Sequence, residues 1–291
     1  MSTVSAGLAP QARTFHHSLY PAARIAAERT QTVSVCLPAR ECASTVAPIV
    51  RALGALREQG VLDEVVVLDA ASADGTAAAA QAAGAKVLQE AELLSEYGPV
   101  LGKGDAMWRA LGSLQGELVC FLDADSEDFS AHFASGLIGA LVCEPAAMFA
   151  KAFYRRPLER PGEASGEGGG RVNHLTARPA LSIFHPELAS IRQPLAGEVA
   201  ARRDLLESVP FVTGYGVEAA MLIDVWRAVG PEGVVQVDLD EHRNRHQPLS
   251  ALAPMAQTVL ATIVSRSPAP PPAALAMTPV ERPALAGLKL A

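Results

Sequence analysis

Residues 117 to 128, ELVCFLDADSED, run from an uninterrupted apolar stretch straight into four carboxylates. Leu118 to Leu122 is too short for a core helix and has no polar face, which predicts a strand covered on both sides. Asp123 and Asp125, two apart, stand where the chain leaves that strand. Clustered acids repel one another unless a cation or hydrogen-bond donors compensate them. Two readings follow. One is a solvated turn in which Asp125 or Ser126 caps the next helix. The other is a site for a hard divalent cation, Mg²⁺ or Mn²⁺, which takes oxygen ligands and bridges carboxylates to phosphates. Glu127 and Asp128 read as solvent-facing.

The same pattern extends on either side. Thr32–Leu37, Glu64–Asp69, Ala85–Leu88 and Met148–Phe153 read as strands. Helical spacing at Ser44–Gln59, after Asp74-Gly75-Thr76, and at Gly104–Leu114 separates them. Ser44 and Asp74 are candidate N-caps. Apolar strands alternating with helices predict an α/β fold with a mostly parallel sheet flanked by helices. Helices at Glu198–Ser208, Val217–Val229 and Leu252–Arg266, with a strand at Val234–Leu239, are expected as C-terminal additions. Residues 1–30 read as an N-terminal arm or frayed helix. Residues 31–266 read as one domain, divided near 155 and 156. Residues 267–291, which begin Ser-Pro-Ala-Pro-Pro-Pro, read as a linker-like Pro/Ala tail.

A formal charge of −7 over 291 residues argues against nucleic acid or an anionic membrane as the main partner. Gly136–Ala150 is the most membrane-like run, but it is short and is interrupted by Glu144 and Pro145. No signal peptide is apparent. The four cysteines form no CxxC pair, so reduced thiols and a cytoplasmic setting are expected.

In an open α/β sheet, ligands bind beyond the carboxyl ends of the strands. Those ends here carry Pro38-Ala39-Arg40-Glu41, Asp69 with Ser72 and Asp74, Asp123-Ala124-Asp125, and Tyr154-Arg155-Arg156. Lys103, one of four lysines against 20 arginines, stands between two glycines at a helix start. A flexible point charge beside backbone donors suits phosphate, although exposed lysines are common. Gly170 lets the backbone approach a ligand closely, and the Arg171 guanidinium suits bidentate recognition of phosphate or carboxylate. Glu218, after Tyr215, is either a solvated first-turn acid or an active-site acceptor. His242 and His246 are either surface residues or imidazoles that complete a metal site.

Taken in order, LPAREC, VVVLDAASADGT, GKGDAMWRAL, VCFLDADSED, KAFYRRPL, GGGRVNHLTARP, RQPLAGE, FVTGYGVEAAMLID and HRNRHQPL resemble the glucosyl-3-phosphoglycerate synthases, retaining GT-A glycosyltransferases of family 81. The resemblance covers roughly residues 32 to 265 and implies a Rossmann-like GT-A fold, with a nucleotide-sugar part near 31–155 and an acceptor part near 156–266. It implies transfer of glucose from a nucleoside diphosphate glucose, such as UDP-glucose, to the 2-hydroxyl of 3-phospho-D-glycerate. A mannosyl-3-phosphoglycerate synthase using GDP-mannose, or another GT-A enzyme, is the alternative. By matching position, Pro38, Ala39, Arg40, Glu41, Asp69, Lys103, Asp123 and Ala124 would hold the nucleotide sugar. Asp123 and Asp125 would form the Mg²⁺ or Mn²⁺ motif, with Asp125 as direct ligand. Gly170, Arg171, Asn173 and Asn244 would face the acceptor, and Tyr215 and Glu218 would lie beside the sugar. Arg40-Glu41-Cys42 departs from the Asn-Glu common in relatives, and Asn173 replaces a threonine found in some. An ungapped match sets Asn244 opposite the family's metal histidine, a two-residue shift selects His242, and His246 is the other local option. A homodimer is implied as well.

Overall fold

The computed structural model describes residues 11–156, 170–243, 248–268 and 280–287. The first half of the chain contains β1 (Arg13–His16), α1 (Ala22–Glu28), β2 (Val33–Ala39), α2 (Val46–Glu58), β3 (Glu64–Asp69), α3 (Thr76–Ala82), β4 (Lys86–Gln89), α4 (Lys103–Leu111), β5 (Leu118–Phe121) and α5 (His132–Cys143). The second half contains β6 (Phe149–Arg155), α6 (Arg178–Phe184), β7 (Val199–Arg202), α7 (Arg203–Ser208), β8 (Phe211–Val212), α8 (Val217–Gly233), β9 (Val234–Glu241), α9 (Leu249–Ser265) and β10 (Glu281–Arg282).

Eight strands form one sheet in the order β1-β9-β6-β7-β5-β2-β3-β4, and β8 pairs with β10 separately. The neighbouring pairs are parallel except for the two made by β7. The expected parallel sheet, with helices on both faces, is present. Alternation along β2 explains the layers, since successive side chains point to opposite faces. Val33, Val35 and Leu37 enter one core with α2 and α5, while Cys36, Val66 and Leu68 enter the other with α4 and α8.

Three parts of the sequence reading need correction. The helix expected from Glu198 begins only at Arg203, because Val199–Arg202 forms β7 between β5 and β6. The spacing of EVAARRDLLES suits a helix throughout, but two flanking strand edges offer that backbone ladder partners on both sides. The N-terminal arm is likewise part of the body: β1 pairs with β9, and Tyr20 packs where a Cβ on Gly139 would come within 2.3 Å of it. Finally, residues 280–287 are docked rather than linker-like. Arg282 makes a bidentate pair with buried Asp105 at 2.8 and 2.9 Å, and Trp108 Nε1 donates to the Pro283 carbonyl at 2.8 Å. Asp105 Oδ2 also accepts from the Leu101 amide at 2.8 Å, so this segment braces the loop that leads into α4. The caps also shift: Thr45 is the N-cap of α2, and Gly75 precedes α3 while Asp74 accepts from the Thr76 amide.

Candidate active site

The carboxyl ends of β2, β3, β5 and β6 open on the same edge as the first turns of α4 and α8. Two cavities lie there. The larger, about 480 Å³, is lined by Pro38, Ala39, Arg40, Ala70, Ala124 and the start of α4. The smaller, about 230 Å³, is lined by Arg156, Gly170, Arg171, Asn173, Gln193 and Glu218. Lys103, Asp123, Asp125 and Tyr215 line both.

Lys103 organises this junction. Gly102, at φ +88°, turns the chain into α4, and Gly104 lies where a Cβ would meet the Val212 carbonyl at 1.9 Å. The lysine Nζ donates to Asp123 Oδ1 at 2.6 Å and pairs with Glu218 Oε1 at 3.1 Å. Burial disfavours its charge, but the Asp123 and Glu218 carboxylates outweigh that and raise its pKa above the ordinary lysine value. Glu218 therefore lies in the cleft against Lys103 and is not a solvated first-turn acid. Asp125, by contrast, has no cation of its own among the described residues. Although its residue surface is open to the cleft, desolvation there and the neighbouring Asp123 carboxylate push its carboxyl up.

Beneath the junction lies a buried polar network. Glu198 accepts from the Tyr154 hydroxyl at 2.8 Å and pairs with His242 Nε2 at 3.3 Å. Burial alone would raise the Glu198 carboxyl, yet the His242 contact and then Arg156 and Tyr154 hold it at about 2. Lys151, fully enclosed, donates to the Ala196 carbonyl at 2.6 Å, and burial brings its pKa down to about 8 against the pull of Glu218 and Glu198. That bond tethers the turn carrying Gly197. A Cβ on Gly197 would come within 2.5 Å of both Asp123 carboxylate oxygens. Gly197→Ala should therefore push Asp123 off Lys103 while leaving the core intact. The expected result is a fall in kcat of roughly 10²-fold with an unchanged circular dichroism spectrum, checked by steady-state assay.

The expected site residues are distributed as follows. Pro38, Ala39, Arg40, Lys103, Asp123, Ala124 and Asp125 line the larger cavity. Glu41 does not, because it brackets the neighbouring loop, accepting from the Ala73 amide at 2.8 Å while its own amide donates to Ser72 Oγ at 2.9 Å. Asp69 is buried beside Ala70. Its Oδ2 accepts from Ser72 and Gln89, while Oδ1 is left without a partner among the described residues. Gly170, Arg171, Asn173, Tyr215 and Glu218 line the smaller cavity. Asn173 sits on a π-helical turn, Asn173–Ala177, with its Nδ2 unpartnered among the described residues; such turns recur at functional sites.

His242, one of the three candidates for a further metal ligand, is buried directly under the junction, against Ser126. Its Nδ1 contacts Asp128 at 3.2 Å, and its Nε2 contacts Glu198 and Ser126, each at 3.3 Å. Burial opposes its protonation, but Glu198 outweighs this and raises its pKa. Asn244 and His246 lie outside the described residues. Asp128, read as solvent-facing, is exposed and also anchors His242 and the Arg243 amide. Tyr154 was expected only as part of a strand end at the ligand edge, and Glu198, Lys151 and Gln193 were not among the expected site residues. The signal for them was their place in RQPLAGE and KAFYRRPL.

A mostly parallel sheet, a carboxylate pair at a strand end and adjoining cavities that share a lysine define a GT-A glycosyltransferase. Residues 34–192 match the model of Glycosyl transferase family 2. The chain is 43% identical to a glucosyl-3-phosphoglycerate synthase of Mycolicibacterium smegmatis, over 83% of this chain and 79% of that one. A crystal structure of glucosyl-3-phosphoglycerate synthase from Mycobacterium tuberculosis, in complex with Mn²⁺, UDP-glucose and phosphoglyceric acid, superposes with a TM-score of 0.84 at 35% identity, covering 95% of this chain and 98% of that one. Mannosyl-3-phosphoglycerate synthase from Rubrobacter xylanophilus gives 0.81 at 44% identity, covering 87% and 80%. The chain belongs to the glucosyl-3-phosphoglycerate synthase family of glycosyltransferases.

Proposed function

We propose that the chain transfers glucose from UDP-glucose to the 2-hydroxyl of 3-phospho-D-glycerate, with retention at the anomeric carbon. The observation that carries this reading is the meeting of two cavities at Lys103, Asp123, Asp125 and Tyr215. The larger cavity receives the nucleotide sugar, with the open Asp69 oxygen as an acceptor for the nucleoside. The smaller presents Arg156, Arg171 and Asn173, a donor set suited to an acid that carries both phosphate and carboxylate. The relatives crystallised with UDP-glucose and phosphoglyceric acid, or with UDP and glucosyl-3-phosphoglycerate, support the same pairing.

A divalent cation, Mg²⁺ or Mn²⁺, fits the junction. Asp123 and Asp125 offer only oxygen donors, and Lys103 bonds Asp123 but not Asp125. Asp125 would hold the ion directly with Asp123 behind it, and the bound ion supplies Lewis-acid neutralisation of the departing diphosphate. Lys103 places a further positive charge at the same point. Glu218 pairs with Lys103 and positions the sugar together with Tyr215. The leaving phosphate oxygen takes the acceptor hydroxyl proton on the face from which it departs, so no glycosyl-enzyme bond forms. Trapping an adduct on Glu218 would overturn that step.

The test is a donor panel of UDP-glucose, ADP-glucose, GDP-glucose and GDP-mannose with 3-phosphoglycerate, run with Mg²⁺ and with chelator. UDP-glucose is expected to give the highest kcat/KM, and chelator to abolish turnover. The 44% identity to a mannosyl-3-phosphoglycerate synthase makes GDP-mannose the informative competitor, and a higher rate with it would replace the glucose reading. Arg171→Ala should raise the KM for 3-phosphoglycerate roughly 10- to 100-fold with little change in the KM for the donor. A cytoplasmic homodimer with α9 at the contact belongs to the same reading. Leu249 and Leu260 on that helix are 69% and 40% exposed, and no helix among the described residues is long and apolar enough to cross a membrane.

A further inference from the structure

At the outer strands of the sheet, the carboxyl ends of β1 and β9 bring two imidazoles onto one carboxylate. His16 Nε2 lies 3.2 Å from Asp240 Oδ1, and His17 Nε2 lies 2.8 Å from Asp240 Oδ2. One ligand atom from each of the three residues falls within 4.8 Å of the others. We propose that His16, His17 and Asp240 form a second divalent-metal site, selective for Zn²⁺ and other imidazole-seeking transition ions.

Four features carry this. Ligand atoms about 2.0–2.1 Å from a tetrahedral ion stand about 3.3 Å apart, and the two imidazole–carboxylate separations, 3.2 and 2.8 Å, are already close to that. The carboxylate is delivered by strained backbone: Asp240, at φ +65°, is one of four non-glycine residues with positive φ among the described residues. Such a conformation is uncommon for a residue with a Cβ and concentrates at functional sites. The His17 ring is fixed from behind by His132, stacked at 4.1 Å, and His132 is itself held by the Leu239 carbonyl and Ser130. Lastly, His16 and Asp240 keep 43% and 49% of their side chains in solvent, which leaves coordination positions open to water.

Metal-free, His16 Nδ1 accepts from the Ser18 amide at 3.2 Å, so its Nε2 carries the proton donated to Asp240. Binding an ion moves that proton to Nδ1, where Ser18 Oγ at 2.7 Å can accept it. Two imidazoles and one carboxylate suit Zn²⁺, Co²⁺ or Ni²⁺, whereas the oxygen-only pair Asp123 and Asp125 suits Mg²⁺ or Mn²⁺. The two sites thus sort ions by donor chemistry.

The test is calorimetric titration of Zn²⁺ into tag-free, chelator-treated chain carrying Asp125→Ala, so that the cleft contributes little and nucleotide plays no part. One Zn²⁺ per chain is expected, with binding weakened at least about tenfold by His16→Ala and by Asp240→Asn. Co²⁺ should give a visible absorption band that both substitutions abolish. Both positions are exposed enough to be changed without unfolding the chain, which the unfolding midpoint verifies. Absence of Zn²⁺ binding, or binding unaltered by both substitutions, would show that the histidines merely donate hydrogen bonds to Asp240. Because no sugar donor is present, that outcome is independent of the transfer reaction.

Discussion

Asp125→Ala should reduce kcat by about 10³-fold while the protein keeps its fold. Asp125 opens onto the cleft and supports no core contact, so its removal leaves the β5 end in place. What disappears is the one junction carboxylate that Lys103 does not bond. Without it, the departing diphosphate would lose the ion that Asp125 would hold and keep only the charge of Lys103. The measurement is a steady-state assay with saturating UDP-glucose and 3-phosphoglycerate across a Mg²⁺ titration. Excess metal should not restore the rate, because the ligand and not the ion is missing. A variant within twofold of the parent would remove Asp125 from the reaction.

Lys103→Ala should lower kcat/KM by about 10²- to 10³-fold, with a second effect that Asp125→Ala lacks. Lys103 separates Asp123 from Glu218, contacting both at 2.6 and 3.1 Å. Its loss leaves two carboxylates facing one another across a partly buried gap. The urea midpoint should therefore fall as well, by roughly 1–3 kcal/mol in unfolding free energy. Lys103→Arg should not rescue activity: a planar guanidinium is larger than the ammonium and its donors are fixed in a fork. Full activity in the arginine variant would mean that the lysine contributes charge alone.

The parts of this molecule that could be read in the sequence are those whose cause is local. β2, β3 and β5 announce themselves as apolar runs because they are buried on both faces, and the acids that close them mark the ligand edge. Asp123, Asp125 and Lys103 could be named from that logic, and FYRRPL, QPLAGE and GYGVE sharpened it into a family. What could not be read depends on distant partners. β7 has the spacing of a helix and becomes a strand only because β5 and β6 flank it. The segment 280–287 has no periodicity at all, and its place is set by Asp105 and Trp108, well over a hundred residues earlier. Glu218 was ambiguous for the same reason: a first-turn acid is ordinary until a lysine from another helix is found against it. Glu198 was concealed by the helical reading of its own segment. Its low pKa and its hold on His242 come from β6 and β9, which no local pattern reveals.

A crystal soaked with UDP and Mn²⁺, examined by anomalous scattering, tests the central claim most directly. A manganese peak about 2.0–2.2 Å from an Asp125 oxygen, bridging to the UDP diphosphate beside Lys103, is the predicted result. UDP bound in the larger cavity with no ion at Asp125, or with Asp123 and Asp125 both remote from the diphosphate, would contradict it.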